Sequence, residues 1–326
     1  MNFPAFSGAR LGLRALALLA VAVVATAGMI APRSPLPAVP PAIVSAPDTS
    51  GEESASAILD PALEDSLRGR SGKLFARFVS PRRPLALEML QRLFGDDAGR
   101  SPGLLSFVDS AIGGPEFTFI TLRPFSDKSE GRIGRYRIGF WPGERRKARK
   151  GYENPEGFIE VTKENQDTRI SEHFRLRDFL TKGQADVWPK YLVLREDLVD
   201  KLELVIDDLG DRGIEVERMR VMSGFRTPQY NANGGSTAGR ASNSRHMYGD
   251  AADVFVDNDG DWRMDDLNGD GRSDTRDAAV IRAAVERVER AHPDLTGGVG
   301  VYRATSAHGP FAHVDVRGYR ARWGSE

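Results

Sequence analysis

The chain is organised around Ser244-Arg-His246-Met-Tyr-Gly249-Asp-Ala251-Ala-Asp253, together with the later segment Phe311-Ala-His313-Val-Asp315. Two imidazoles and a carboxylate from separate segments are the ligand set of a catalytic zinc, which takes three protein ligands and keeps a fourth position for water. Bound zinc lowers the pKa of water to about 7 and polarises a carbonyl group, which makes hydrolysis feasible near neutral pH. The sequence therefore predicts a hydrolytic zinc site, with peptide bonds as the expected target.

The sequence around these candidate ligands predicts two β-strands. Ala252–Val256 and Phe311–Val316 are short segments rich in apolar and β-branched residues. Because side chains alternate across a strand, His313 and Asp315 should share one face, which places a carboxylate beside the second imidazole. Gly249 and the small residues after it allow the backbone to turn closely between the first two ligands.

Several ordered motifs carry a resemblance that runs from about residue 172 to the C-terminus. They are Ser223-Gly-Phe-Arg226-Thr-Pro-x-Tyr230-Asn231, Ser-x-His-x-x-Gly-x-Ala-x-Asp at 244–253, Gly297-Gly-Val-Gly-Val-Tyr302, His313-Val-Asp-Val-Arg317 and Arg322-Trp323. This pattern resembles the zinc D-alanyl-D-alanine carboxypeptidase family, which includes the VanX-type dipeptidases and is similar to the hedgehog signalling domain. The resemblance implies a cell-wall substrate, namely the peptides of peptidoglycan.

The resemblance also implies roles for residues outside the ligand set. Arg226 would bind a substrate carboxylate, for which a planar guanidinium is well suited. Many family members place an acidic general base three residues before the last histidine, but here that position is Pro310. Asp315 is therefore the expected base, with His308 as a transition-state stabiliser or proton carrier.

Length, charge and composition narrow the class of protein. The 326 residues are enough for about two domains. A formal net charge of −1 argues against a dedicated nucleic-acid binder. Cysteine is absent, which excludes a thiol nucleophile, a cysteinyl zinc site, disulfides and a lipoprotein cysteine.

The N-terminal region has the composition of an export signal followed by a tether. Arg10 and Arg14 precede the apolar run Ala15–Ala31, so residues 1–31 are expected to be either a cleaved signal peptide or an uncleaved membrane anchor. Residues 32–70 are Pro- and Ala-rich and read as a linker. The predicted location is the cell envelope, periplasmic or otherwise extracytoplasmic, with the anchor in the inner membrane if it is retained.

The rest of the chain is expected to be α+β, divided into a small β-rich domain at 71–168 and a catalytic domain at 169–326. The catalytic domain should have an antiparallel sheet with flanking helices, because helical and strand patterns alternate along it. The predicted helices are 84–94, 195–209 and 277–289, and the predicted strands include 116–122, 134–141, 157–162 and 219–223.

An acidic insertion follows Asp253, with eight aspartates against three arginines in residues 257–277. Its second half fits the calcium-loop pattern, which has oxygen ligands at alternate positions and a glycine at the sixth. The predicted calcium-site residues are Asp266, Asn268, Asp270, Arg272, Asp274 and Asp277. The earlier Asp257, Asp259, Asp261 and Asp265 lack that glycine and form only a partial second set.

Taken together, the sequence predicts an exported zinc metallopeptidase that hydrolyses peptidoglycan stem peptides or crosslinks. It would be a D,D- or L,D-type carboxypeptidase or endopeptidase, and the same residues would also serve a hydrolase of small D-amino-acid dipeptides. The alternative from another class is a non-catalytic wall-binding or regulatory module that contains zinc and calcium. A structural zinc would be closed by a fourth protein ligand, which distinguishes the two hypotheses.

Overall fold

The structure is a computed structural model that describes residues 67–107, 116–234 and 240–324. The predicted export signal and most of the predicted linker lie outside these residues. Within the described ranges, no helix is long and apolar enough to cross a membrane.

The described residues form an α+β fold with short strands and few helices. In chain order the strands are β1 Ala76–Val79, β2 Gly103–Phe107, β3 Phe117–Thr121, β4 Arg123–Pro124, β5 Arg132–Ile133, β6 Tyr136–Arg137, β7 Gly157–Val161, β8 Lys190–Leu192, β9 Met219–Ser223, β10 Ala251–Val256, β11 Gly298–Tyr302, β12 Phe311–Asp315 and β13 Ala321–Trp323. The α-helices are α1 Pro84–Phe94, α2 Glu196–Gly210, α3 Pro228–Asn233 and α4 Thr275–Ala291.

The largest sheet has five strands in the order β13-β11-β12-β10-β9. Neighbouring strands are antiparallel, except that β13 runs parallel to β11 at one edge. The predicted antiparallel sheet is thus confirmed apart from this edge pair. Alternation of side chains along a strand does not specify whether its neighbour runs parallel or antiparallel, so the sequence did not predict this pair.

The two faces of this sheet have different chemistry because side chains alternate along each strand. On one face the valines of β10, β11 and β12 are buried and pack toward α4, which in turn contacts α2. Burying one such apolar side chain stabilises the fold by roughly 1.5–3 kcal/mol. On the other face Asp253 and His313 are directly paired across β10 and β12. The aliphatic face packs against α4, and the opposite face carries the candidate metal ligands.

Three smaller sheets precede this unit. They have the strand orders β1-β3-β2, β4-β7-β8 and β5-β6. The main core combines buried side chains from both sides of residue 168, including Leu74, Trp141, Leu198 and Val254, while a second cluster lies under α1. The division into domains at residue 168 stays a prediction.

The predicted helices at 84–94, 195–209 and 277–289 correspond to α1, α2 and α4. The predicted strand at 134–141 is wrong. Gly134 (φ +53°) and Gly139 (φ +87°) have left-handed backbone conformations that an extended strand does not contain. The segment instead contributes only the two-residue strand β6, which pairs with β5, just before the segment, in a hairpin.

Candidate metal centre

The first predicted ligand, His246, lies in a short 3₁₀ turn, Arg245–Tyr248, that enters β10. Gly249 ends the turn with φ +67°, and a β-carbon there would overlap the carbonyl group of Val193. Only glycine satisfies both the positive φ and the close approach. This turn brings the imidazole of His246 back toward Asp253.

The three predicted ligands converge through this turn and the pairing of two strands. Asp253 of β10 lies opposite His313 of β12 in the strand register. His246 Nε2 lies 3.2 Å from His313 Nδ1 and 3.2 Å from Asp253 Oδ1, and the latter two atoms are 2.9 Å apart. Zinc bonds of about 2.0–2.1 Å in a tetrahedron require neighbouring donors about 3.3 Å apart. The donor triangle therefore has the dimensions that a zinc ion needs.

The other nitrogen of each imidazole is held by a group that can only accept a hydrogen bond. His246 Nδ1 lies 2.7 Å from the carbonyl oxygen of Gly224, and His313 Nε2 lies 3.1 Å from Asp315 Oδ2. A proton on each of these nitrogens leaves His246 Nε2 and His313 Nδ1 with lone pairs that face one another, which is the form in which both rings bind a metal. Two lone pairs and a carboxylate oxygen at this spacing fit a cation, and outer partners of this type orient ligating histidines.

The electrostatics favour the ligating protonation states of His246 and Asp253. Burial lowers the pKa of His246, so its imidazole stays neutral. Burial alone would raise the pKa of Asp253, but His246 and His313 outweigh it and hold that pKa well below its usual range. Burial would lower the pKa of His313, but its contacts with Asp253 and Asp315 outweigh burial and raise that pKa. Arg226 Nη2 also donates to Asp253 Oδ2 at 2.5 Å.

Of the predicted catalytic residues, Arg226 and Asp315 join this cluster. Arg226 is fixed by a 2.8 Å bond from Nε to Ser223 Oγ, in addition to its contact with Asp253. Asp315 contacts His313 on the side away from the donor triangle. His308 lies in the loop between β11 and β12, with its ring 5.0 Å from that of Phe311.

The carboxylate of Asp315 is fully buried and has several partners. Oδ1 accepts from the backbone nitrogen of Gly298 at 2.7 Å, and Arg317 Nε lies within 2.9 Å of both oxygens. Burial would raise the pKa of Asp315, but His313 and Arg317 outweigh it and lower that pKa. This environment is that of a fixed anion that orients His313.

Sequence reasoning gave no role to Arg317, Tyr302 or Trp323, although all three lie in motifs that carried the resemblance. Gly300 and Trp323 are partners across β11 and β13, and Gly300 is also the partner of His313. The indole of Trp323 lies 5.2 Å from the His313 ring, measured between centroids. The glycines on this face of β11 were the available signal, because a missing side chain in a strand marks a close approach.

The carboxylates of the predicted calcium loop do not converge on a common site. Asp277 is fully buried and accepts from the backbone nitrogens of Leu267 and Asp274, which caps α4. Arg276 contacts both Asp270 and Asp274. Calcium at this loop is therefore unsupported.

Among the described residues, the other acidic group with metal-ligand spacing is Asp257, Asp259 and Asp265, which lies in the earlier half of the insertion. Asp257 is already paired with Arg220 at 2.7 Å.

Comparisons with known proteins agree with this site. The model of a family described as Peptidase M15 matches residues 183–274, a range that includes His246 and Asp253 and ends before His313. No curated protein and no solved structure matches the chain. Peptidases of this family are zinc-dependent, and the described residues include a His-Asp-His group with metal-ligand spacing. Residues 183–274 are thus similar to the peptidase M15 family, which agrees with the resemblance seen in the sequence motifs.

Proposed function

We propose that this chain is an exported zinc metallopeptidase that hydrolyses peptide bonds in peptidoglycan stem peptides or crosslinks. The observation that carries the proposal is the donor triangle of His246, Asp253 and His313. Among the described residues, no fourth His, Asp or Glu joins this group. A three-ligand set with an open position supports a catalytic zinc over the closed site of a structural module.

The bound zinc would supply a Lewis acid that polarises the scissile carbonyl group and makes water a better nucleophile near neutral pH. The protein fixes the ligand geometry. His246 is held through Gly224 and His313 through Asp315, so neither ring needs to reorient when the substrate arrives. Hydrolysis adds water across the C–N bond, and the amine leaves with a proton.

Arg226 supplies the recognition of a carboxylate. Its Nε and Nη2 are held by Ser223 and Asp253, and neither of these bonds uses Nη1. Lys182 adds positive charge beside it. The two cations are close enough to interact: burial lowers the pKa of Lys182, and the charge of Arg226 lowers it further. A peptide with a free carboxylate, such as a stem peptide, fits this pair of cations.

Asp315 is assigned a positioning role in place of the general base that the sequence suggested. Its oxygens are occupied by Gly298, Arg317 and His313, so a water molecule has no open approach to them. His308, in the loop between β11 and β12, stays the candidate for transition-state stabiliser or proton carrier. The predicted export signal supports action in the cell envelope, where peptidoglycan is found.

The test is mass spectrometry of purified muropeptides after incubation with the zinc-loaded chain. New fragments that a chelator suppresses are expected, and their masses identify the bond and separate carboxypeptidase from endopeptidase cleavage. His246→Ala should remove both zinc and activity, whereas His292→Ala, outside the site, should change neither. No cleavage by wild-type protein that contains one zinc per chain would overturn the proposal and favour the binding module.

A further inference from the structure

The face of the sheet that carries the candidate ligands continues past His313 into an aromatic wall. Gly300 is opposite His313 in the register of β11 and β12, and Tyr302 is opposite Phe311. Paired residues of antiparallel strands project to the same side. Tyr302 therefore shares the face of His313, two residues, or about 7 Å, along the strand.

Trp323 fills the space that Gly300 leaves open. A β-carbon at position 300 would overlap the indole nitrogen of Trp323, so this position accepts only a hydrogen atom. Gly298 likewise has no room for a side chain, because a β-carbon there would clash with both Asp315 and Trp323. The indole lies against the His313 ring and extends from there toward Tyr302.

The hydroxyl of Tyr302 is held at the end of this indole. Trp323 Nε1 donates to the Tyr302 oxygen at 2.7 Å, so the phenol leans along the sheet toward the ligands. Its ring is stacked on Phe311, with centroids 4.6 Å apart and planes inclined by 5°. The oxygen therefore accepts a fixed hydrogen bond, while its own proton is available to another acceptor. Tyr302 remains 39% exposed, which leaves it accessible to a substrate.

We propose that Tyr302 is a catalytic residue that donates a hydrogen bond to the scissile carbonyl oxygen of the substrate as negative charge develops there. This inference rests on the proposed peptidase function. A donor that is already oriented before the reaction stabilises the developing charge without reorganisation at that moment. The stacked Phe311 and the bond from Trp323 provide that orientation.

The protonation state of Tyr302 suits a donor. Burial is the largest influence and raises its pKa, and the Asp253 carboxylate acts in the same direction, although the bond from Trp323 opposes them. The hydroxyl therefore keeps its proton through neutral and moderately alkaline pH.

The experiment compares Tyr302→Phe with Tyr152→Phe, a matched control at a partly exposed tyrosine outside the donor triangle. We expect Tyr302→Phe to lower kcat by about 10- to 100-fold with KM within about threefold, below the full loss for a buried oxyanion donor because Tyr302 is partly exposed. Zinc content and Tm should match wild type. Trp323→Phe, which keeps a ring but removes the N–H donor, should lower kcat by a smaller factor.

A second readout does not depend on turnover. Calorimetry with a phosphinate analogue of the peptide should show that Tyr302→Phe weakens binding by the same factor as it lowers kcat, because the analogue mimics the developing charge. If the wild type cleaves and Tyr302→Phe retains kcat within twofold, the assignment of Tyr302 is wrong while the proposed function stands. If zinc-loaded wild type neither cleaves muropeptides nor binds the analogue, both are wrong.

Discussion

Replacing Asp315 by asparagine separates its two candidate roles, general base and positioning residue. The side chain is fully buried, accepts from Gly298 and Arg317, and holds His313 at Nε2. Asparagine keeps the shape and the bond from Gly298 but removes the negative charge. Without the carboxylate, His313 Nδ1 is a weaker electron-pair donor to zinc. Outer partners of this type contribute about 10- to 100-fold to metal affinity.

The substitution also leaves the guanidinium of Arg317 without its anion. The side chain of Arg317 is 15% exposed, so this is a largely buried ion pair. Removing one partner of such a pair destabilises a protein by about 3–5 kcal/mol, and partial exposure moves the expected loss toward the lower end. Asp315→Asn should therefore bind zinc about 10- to 100-fold more weakly and have a lower free energy of unfolding.

The assay is competition for zinc against a chromogenic chelator, followed by kinetics at saturating zinc. Asp200→Asn is the matched control, because Asp200 is 1% exposed, pairs with Arg70 and lies outside the site. It should lower stability without changing zinc affinity. If Asp315→Asn binds zinc as tightly as wild type but loses kcat at saturating metal, Asp315 is the base and the positioning argument is wrong.

Three further predictions concern the scaffold of the site. Gly249→Ala should lower both Tm and zinc occupancy, because the positive φ and the approach to Val193 exclude a β-carbon; unchanged metal content would contradict this. Lys201→Met should reduce the free energy of unfolding in urea by about 3–5 kcal/mol, since Lys201 is fully buried and bonded at 2.7 Å to Glu289; a loss below 1 kcal/mol would refute it. The hydrogen bond to Glu203 raises the pKa of His173, so its contribution to stability is complete below the unfolded value of about 6.5 and is lost as pH rises through the folded value. His173→Gln should flatten that part of the profile of unfolding free energy against pH, and an unaltered profile would count against the pair.

The sequence was most informative where chemistry depends on residue type and local pattern. The three candidate ligands were identifiable because only a few residue types bind zinc, and Asp253 and His313 occurred within apolar segments that read as strands. Helix α1 was predictable over Pro84–Phe94, since the spacing of apolar residues and the proline at its start are local features. Arg226 was found through the motif that precedes α3.

Local pattern failed where backbone conformation or distant partners decide the outcome. The alternation at 134–141 predicted a strand, but Gly134 and Gly139 with positive φ interrupt it, and only the two-residue strand β6 remains, paired with β5. The calcium pattern at 266–277 matched in spacing, yet Asp277 caps α4 and Arg276 contacts the carboxylates of Asp270 and Asp274. Spacing does not reveal which competing hydrogen bonds a side chain makes.

The sequence by itself determined the ligand types, the strands that carry them and the family resemblance, because these depend on residue chemistry and short-range periodicity. Strand alternation also placed Asp315 beside His313. Only the tertiary structure decided that Arg317 neutralises Asp315 and that Trp323 lies over Gly300 and fixes Tyr302. These contacts form when β11, β12 and β13 align in register. Register is a property of the assembled sheet, set by burial of its aliphatic face against α4.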